Sequence, residues 1–267
     1  MVLQKLCYNE HKWLISVDLK MVNLLLGQQG GYVNYSCFLC LWNSRADDQH
    51  WQRKDWPVRE ERLVRENNVI NESLVDRDRI LLPPLHIKLG PMKQFTKGLD
   101  KNGDCFRCIH NRFPATSYEK VKAGIFDGPQ IRKLMKNPAF VSHMTVVESA
   151  AWCSSVSVVK EFLGEKRADY YQDIVKQKLT NFQTLEARMS IKLHYLFSHQ
   201  GRFPDNLGEV SDDQGERFHQ AINTVETRYQ GRWDHHMMSD YCWSRMRDFN
   251  QHNYKRKSYK RAFQQVD

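Results

Sequence analysis

WLISVDLKMVNLLLGQQGGYVNYSCFLCLW, residues 13–42, sets an aspartate, an apolar run, a glycine-rich break and a Cys-x-x-Cys pair in that order. How this stretch is read decides the fold. KWLISVD reads as a short strand ending at Asp18, and LKMVNLLLG is apolar nearly all round, as a buried helix is. Gly27, Gly30 and Gly31 then stop the helix, and Cys37 and Cys40 follow. A two-residue gap lets both thiolates reach one tetrahedral zinc from a tight turn. Taken alone, Asp18 is most simply the N-cap of the helix behind it; a carboxylate at a strand end is also where two-metal phosphoryl-transfer sites hold Mg²⁺.

A zinc site needs two more ligands. His50 is a local option, and His194 with His199, in HYLFSH, is a distant one. Five residues at about 100° each put the distant pair about 140° apart, so the two rings converge only if the helix ends between them. SHQGRFP offers that end, with Gly201 as a stop and Pro204 beyond. Helix-surface and cap histidines fit the same spacing. Cys105, Cys108 and His110 imitate a second site, but CFRCIHNRF reads as a helix whose thiols point inward. Cys7, Cys153 and Cys242 read as packing residues.

The chain has 267 residues, 41% of them apolar, enough to bury a substantial core. Forty Lys and Arg against thirty-one Asp and Glu give a formal charge of +9, a sign that attracts polyanions. No window approaches about 18 consecutive apolar residues, and MVLQKLCYNEHKW lacks the apolar centre of a secretory signal, so a soluble intracellular chain without a membrane partner is expected. Seven cysteines, four of them in two Cys-x-x-Cys pairs, fit free thiols or metal ligands better than disulfides. The sequence contains no Gly-rich phosphate loop, no Gly-x-Ser-x-Gly elbow and no Cys2His2 finger spacing, which sets aside nucleotide hydrolases and finger proteins. Trp51, Arg53, Lys54 and Trp56 in HWQRKDWPVRE suit either base stacking or a loop folded onto a neighbour.

Between about residues 43 and 71 the sequence has no clean period and reads as irregular structure. LLPPLHIKLGPMKQF restarts order with a helix entrance near Leu85. SYEKVKAGIF, GPQIRKLMK, VVESAAWCSSVSVVKEFLG, DYYQDIVKQKLTNFQTL and MSIKLHYLFSH follow with helical spacing. A later helix, opened by Ser211, Asp212 and Asp213, sets Phe218, Ala221, Ile222 and Val225 on one face, with Glu216 and His219 off that stripe. Lys255–Arg261 form a basic end, KRKSYKR.

The stretches VDLKMVNLLLGQQGGYVNYSCFLCLWNSRADDQHW, LLPPLHIKLG, AGIFDGPQIRKLM, FPDNLGEVSDDQGERFHQ and RYQGRWDHHMMSDYCWS look like transposase-derived proteins of invertebrate genomes. Their layout is similar to the group with an RNase H-like acidic core that includes Transib transposases and the catalytic subunit of the V(D)J recombinase. The resemblance implies that Asp18 and Glu216 are catalytic carboxylates for Mg²⁺ or Mn²⁺. It implies structural zinc on Cys37, Cys40, His194 and His199, with His50 in reserve. DNA and a second copy of the chain become candidate partners, and KRKSYKR, read as a nuclear import signal, makes the nucleus the expected compartment. Only seventeen residues precede Asp18, too few for the strand that carries the first aspartate of such a core, so an N-terminally truncated, catalytically incomplete remnant is expected.

The expected fold is mainly α: a partial RNase H-like α/β core, made of one strand with its helix plus the glutamate helix, with a large helical insertion. Its parts are 11–42 (core fragment with Cys-x-x-Cys), 43–210 (insertion), 211–250 (glutamate helix and C-terminal helix) and 251–267 (basic tail). Two alternatives stand beside the remnant. One is a subunit or truncated gene model of an active Mg²⁺-dependent DNA transposase. The other is a zinc-stabilised protein-interaction module with no nucleic-acid role.

Overall fold

The structure is a computed structural model that describes residues 7–11, 13–164, 166–207 and 213–249. The chain divides into two compact units, Met1–Asp213 and Gln214–Asp267, each described by itself.

Local signals set the helices of the first unit. After a single turn, α1 (Tyr8–His11), comes α2 (Leu19–Leu25). α3 (Pro84–Gly98) starts on a proline, whose missing N–H has no intrahelical role at that position. α4 (Asp104–Arg112) and α5 (Tyr118–Lys122) follow. α6 (Gly128–Met135) and α7 (Val146–Glu161) each open with a capping box, Asp127 with Gln130 and Thr145 with Glu148. α8 (Tyr171–Thr184) packs along α7, and α9 (Ile191–Ser198) packs on α3 and α8. Phe95 of α3 and Phe140 meet the indole of Trp152 on α7 at ring distances of 5.3 and 4.9 Å, so one aromatic cluster ties these elements together.

The expected α/β core is not there. Among the described residues no strand forms, and only three isolated bridges occur: Ile15 with Ile80, Gln28 with Val69 and Cys40 with Val58. The N–H of Ile15 donates to the Arg79 carbonyl, and its own carbonyl accepts from Leu81. The pairing ends there because Pro83 and Pro84 turn the partner segment into α3. One strand-like segment with no further partners cannot make a sheet. The RNase H-like fold, and with it the transposase and nuclease lineage, active or vestigial, is therefore corrected to a helical fold. α2 also differs from a helix buried all round: Val22 and the adjoining Leu26 are fully buried, while Met21 and Leu24 are 42% and 64% exposed.

From Leu26 to Asp76 the chain forms no helix, as the sequence suggested for 43–71. Gly27 anchors this region to the end of α2. Its φ is +61°, a Cβ there would sit 2.1 Å from the Asn71 carbonyl oxygen, and its own carbonyl accepts from Ile70 and Asn71.

In the second unit, α10 (Asp213–Arg228) and α11 (His235–Phe249) bury Ile222, Val225 and Met237 between them. Phe218 stays 40% exposed, edge-on to Tyr241 at 5.3 Å. Ser211, Asp212 and the basic end lie outside the described residues. No described helix is long and apolar enough to cross a membrane.

Lys178 of α8 is fully buried against α7, with Nζ 3.4 Å from Ser155 Oγ and 4.8 Å from the Phe182 ring centre. Burial lowers its pKa to about 7 from an ordinary 10.5. Below about pH 7 the amine is charged in both the folded and unfolded states, and the folded state bears the full desolvation penalty. Stability therefore rises with pH between about 7 and 10.5, by at most about 5 kcal/mol. Lys178→Met is expected to stabilise the fold most at and below neutral pH and to flatten that rise. Urea melts of both chains at pH 6, 8 and 10 measure it, and parallel curves would contradict it.

Candidate metal centre

Cys37 and Cys40 sit on the irregular segment after α2, and Leu39 N–H donates to Cys37 Sγ at 3.4 Å. The opposite half comes from the end of α9. The helix stops at Ser198, and His199 takes φ −127° and ψ 35°, so the two imidazoles turn toward each other. The helix end falls between the histidines, as convergence requires. Gly201 is not the stop: it follows within the 3-10 turn Gln200–Arg202.

The four side chains close on one point. Cys40 Sγ lies 3.2 Å from His194 Nε2 and 3.4 Å from His199 Nε2, and Cys37 Sγ lies 3.5 Å from His199 Nε2. All four ligand atoms fall within 4.8 Å of one another, and all but His199 are buried. A tetrahedron with Zn–S of about 2.3 Å and Zn–N of about 2.05 Å has S···N edges of about 3.5 Å. The separations of 3.4 and 3.5 Å match that edge, and the one of 3.2 Å is about 0.3 Å shorter. The cluster can chelate a metal ion.

The tautomer fits as well. Ser198 Oγ donates its proton to the Lys54 carbonyl at 2.6 Å, so it can only accept from His194 Nδ1, 3.2 Å away. With Nδ1 carrying the proton, the Nε2 lone pair faces the thiols. Burial, opposed by Cys37, lowers the His194 pKa and favours the neutral ring a metal requires. Burial would raise the Cys37 thiol, but the Cys40 thiol and the two imidazoles beside it outweigh burial and hold its pKa well below the usual value. Cys40 moves the other way: its hydrogen bond with Cys37, burial and the neighbouring thiolate all raise it. A divalent cation would offset the charge of both thiolates.

Arg59, 2% exposed, braces the cysteine turn from behind. Its guanidinium donates to the carbonyls of Cys37 (3.2 Å), Tyr35 (3.1 Å) and Asn67 (3.0 Å), and its own carbonyl accepts from Arg77. Trp42 stacks on His194 at 4.8 Å and 13°, with His50 on it at 5.0 Å.

His50 is not a ligand here. Its Nε2 donates to the Asn43 carbonyl at 2.8 Å and its Nδ1 faces Asp47 at 3.3 Å. Asp18 is the N-cap of α2: its Oδ1 accepts from Met21 N–H at 2.7 Å. The structure brings it into no cluster of metal-binding groups among the described residues. Glu216 lies on α10 in the second unit, and its side chain falls outside the described residues. A Mg²⁺ or Mn²⁺ site therefore finds no support, because no sheet edge fixes a carboxylate pair. Cys105 is fully buried and Cys108 half-buried on α4, away from the cluster. Cys7, Cys153 and Cys242 are exposed, which corrects their reading as packing residues. Sequence reasoning missed Arg59 and Ser198. Nothing separates Arg59 from its charged neighbours in VREER, whereas Ser198 lies one helical turn after His194, where a supporting hydroxyl is placed.

Residues 1–75 match the family described as Domain of unknown function (DUF8703), and residues 84–164 match Domain of unknown function (DUF8704). No curated protein and no solved structure matches the chain. The first match holds both cysteines, and both histidines lie beyond the second.

Arg59→Met leaves the carbonyls of Cys37 and Asn67 without their donor, while that of Tyr35 keeps Gln28 Nε2 at 2.8 Å, and is expected to destabilise the chain by about 2 kcal/mol or more. Arg59→Lys should recover part of that loss. Denaturant melts read the difference, and an unchanged midpoint in Arg59→Met would contradict the bracing role.

Proposed function

We propose that this chain is a zinc-stapled helical interaction module in which the metal is structural. The observation that carries this reading is the closed donor set: two thiols and two imidazoles converge from opposite ends of the first unit, three of the four buried. Structural zinc sites take four protein ligands, whereas catalytic ones keep a position for water or substrate. Borderline-soft sulfur and nitrogen donors suit Zn²⁺ better than Mg²⁺ or Mn²⁺, which prefer oxygen. The zinc would join the irregular N-terminal segment to the helical body. Nuclear residence is part of the same reading, supported by the composition of Lys255–Arg261.

Elemental analysis of purified chain tests it. About one zinc per chain is expected, and chelation should cause a cooperative loss of fold. Cys40→Ala and His199→Ala should abolish stoichiometric zinc, His50→Ala should retain it, and Ser198→Ala should weaken zinc affinity about 10- to 100-fold. Zinc content and melting unchanged in His199→Ala would overturn the proposal.

A further inference from the structure

A groove of roughly 910 Å³ runs between α3 and the segment that leads into α9. Lys93 and Lys97 line one wall, one helical turn apart, Arg188 and Lys192 line the other, and Arg45 and Lys122 complete it. With Lys101 this makes seven cations against two acids, Asp47 and Glu186, and Asp47 already faces His50 at 3.3 Å. Lys101 is held in place by donating to the carbonyls of Thr96, Lys97 and Leu99. Among the described residues no carboxylate pairs with Lys93, Lys97, Lys122 or Arg188. Such crowding of one sign in a concave surface favours an anionic occupant.

The backbone says what kind. Beyond Glu186, which has φ +57°, residues 187–190 run without helix, and their burial alternates: Ala187 and Met189 are buried, Arg188 and Ser190 are not. That period of two is the signature of extended chain. Among the described residues no hydrogen bond reaches the backbone of Arg188 or Met189, two residues that line the groove beside the cations. An extended peptide can pair with such an edge. Single-stranded nucleic acid sites instead combine cations with exposed stacking rings. Only Tyr32, 94% exposed, offers one here, since Trp42 is 3% exposed and covered by His194 and His50.

We propose that this groove binds an acidic peptide in extended conformation, its backbone pairing with Arg188 and Met189 and its carboxylates meeting the lysines of α3. The inference names a partner for the interaction module proposed above and rests on that reading. The metal centre supports the wall: Ser190 caps α9 by accepting from Leu193 N–H, and α9 carries His194, on which Trp42 stacks.

Fluorescence anisotropy with the full chain tests it, using a labelled glutamate homopeptide, a glutamine homopeptide of equal length, the glutamate peptide N-methylated at alternate residues, and a thymidine oligonucleotide. The glutamate peptide is expected to bind and the glutamine peptide not to. N-methylation, and the double variant Lys93→Glu with Lys97→Glu, should each weaken binding at least about tenfold. Replacing Lys255, Arg256 and Lys257 by alanine should leave binding unchanged. Tighter binding of the oligonucleotide, or indifference to N-methylation or to the α3 variants, would overturn the proposal. A chain that binds the peptide but holds no zinc would fail the metal reading alone. A zinc-loaded chain that ignores the peptide would fail the groove alone.

Discussion

The first unit depends on one long-range junction, the meeting of Cys37 and Cys40 with His194 and His199. Cys40 and His194 are 154 residues apart in sequence and 3.2 Å apart in space. By the chain-entropy relation used for disulfides, a cross-link closing a loop of that length removes about 5 kcal/mol of freedom from the unfolded chain. That is comparable with the whole net stability of an ordinary domain. A metal held at this junction would fasten the region from Leu26 to Asp76, which forms neither helix nor sheet, to the helical body.

The surroundings of the junction are polar and buried, so they stabilise only when fully paired. Arg59 meets this condition with three carbonyls. Its neighbour Arg62 meets it in part: Nη2 donates to the Leu26 carbonyl at 2.8 Å, while Nε and Nη1 are buried with no partner among the described residues. Burial, with Arg59 and Arg77 close by, lowers the Arg62 pKa to about 10. Trp42 Nε1 is likewise buried with no partner among the described residues, and the indole lies between two imidazoles. The fold accepts these local losses around a centre whose donors are all directed at one point.

The helices were legible because their signals are local. Pro84, the Asp127 and Thr145 capping boxes and the apolar spacing each act within one or two turns. The convergence of the two cysteines with the two histidines was legible for a related reason. The Cys-x-x-Cys gap is a local geometry, and SHQGRFP marks a helix end where two histidines need one. The role of Asp18 was not legible in the same way, since a helix cap and a metal-holding strand end ask for the same residue before the same helix. Only the sheet distinguishes them, and a sheet depends on partners that no short stretch contains. The resemblance to transposase-derived proteins carried that sheet over from the order of residues, and the isolated bridge at Ile15 is where the inference failed. Arg59 and the alternating wall at 187–190 were hidden for a third reason: their meaning lies in what the fold brings near them.

The account stands or falls on the identity of the atoms around the ion. X-ray absorption at the zinc edge of the metal-loaded chain measures that directly. Two sulfur neighbours at about 2.3 Å and two nitrogen neighbours at about 2.0–2.1 Å are the result expected from this geometry. A shell of oxygen and nitrogen atoms without sulfur would mean that the cysteines and histidines meet for some other reason, and the junction would lose its place at the centre of the fold.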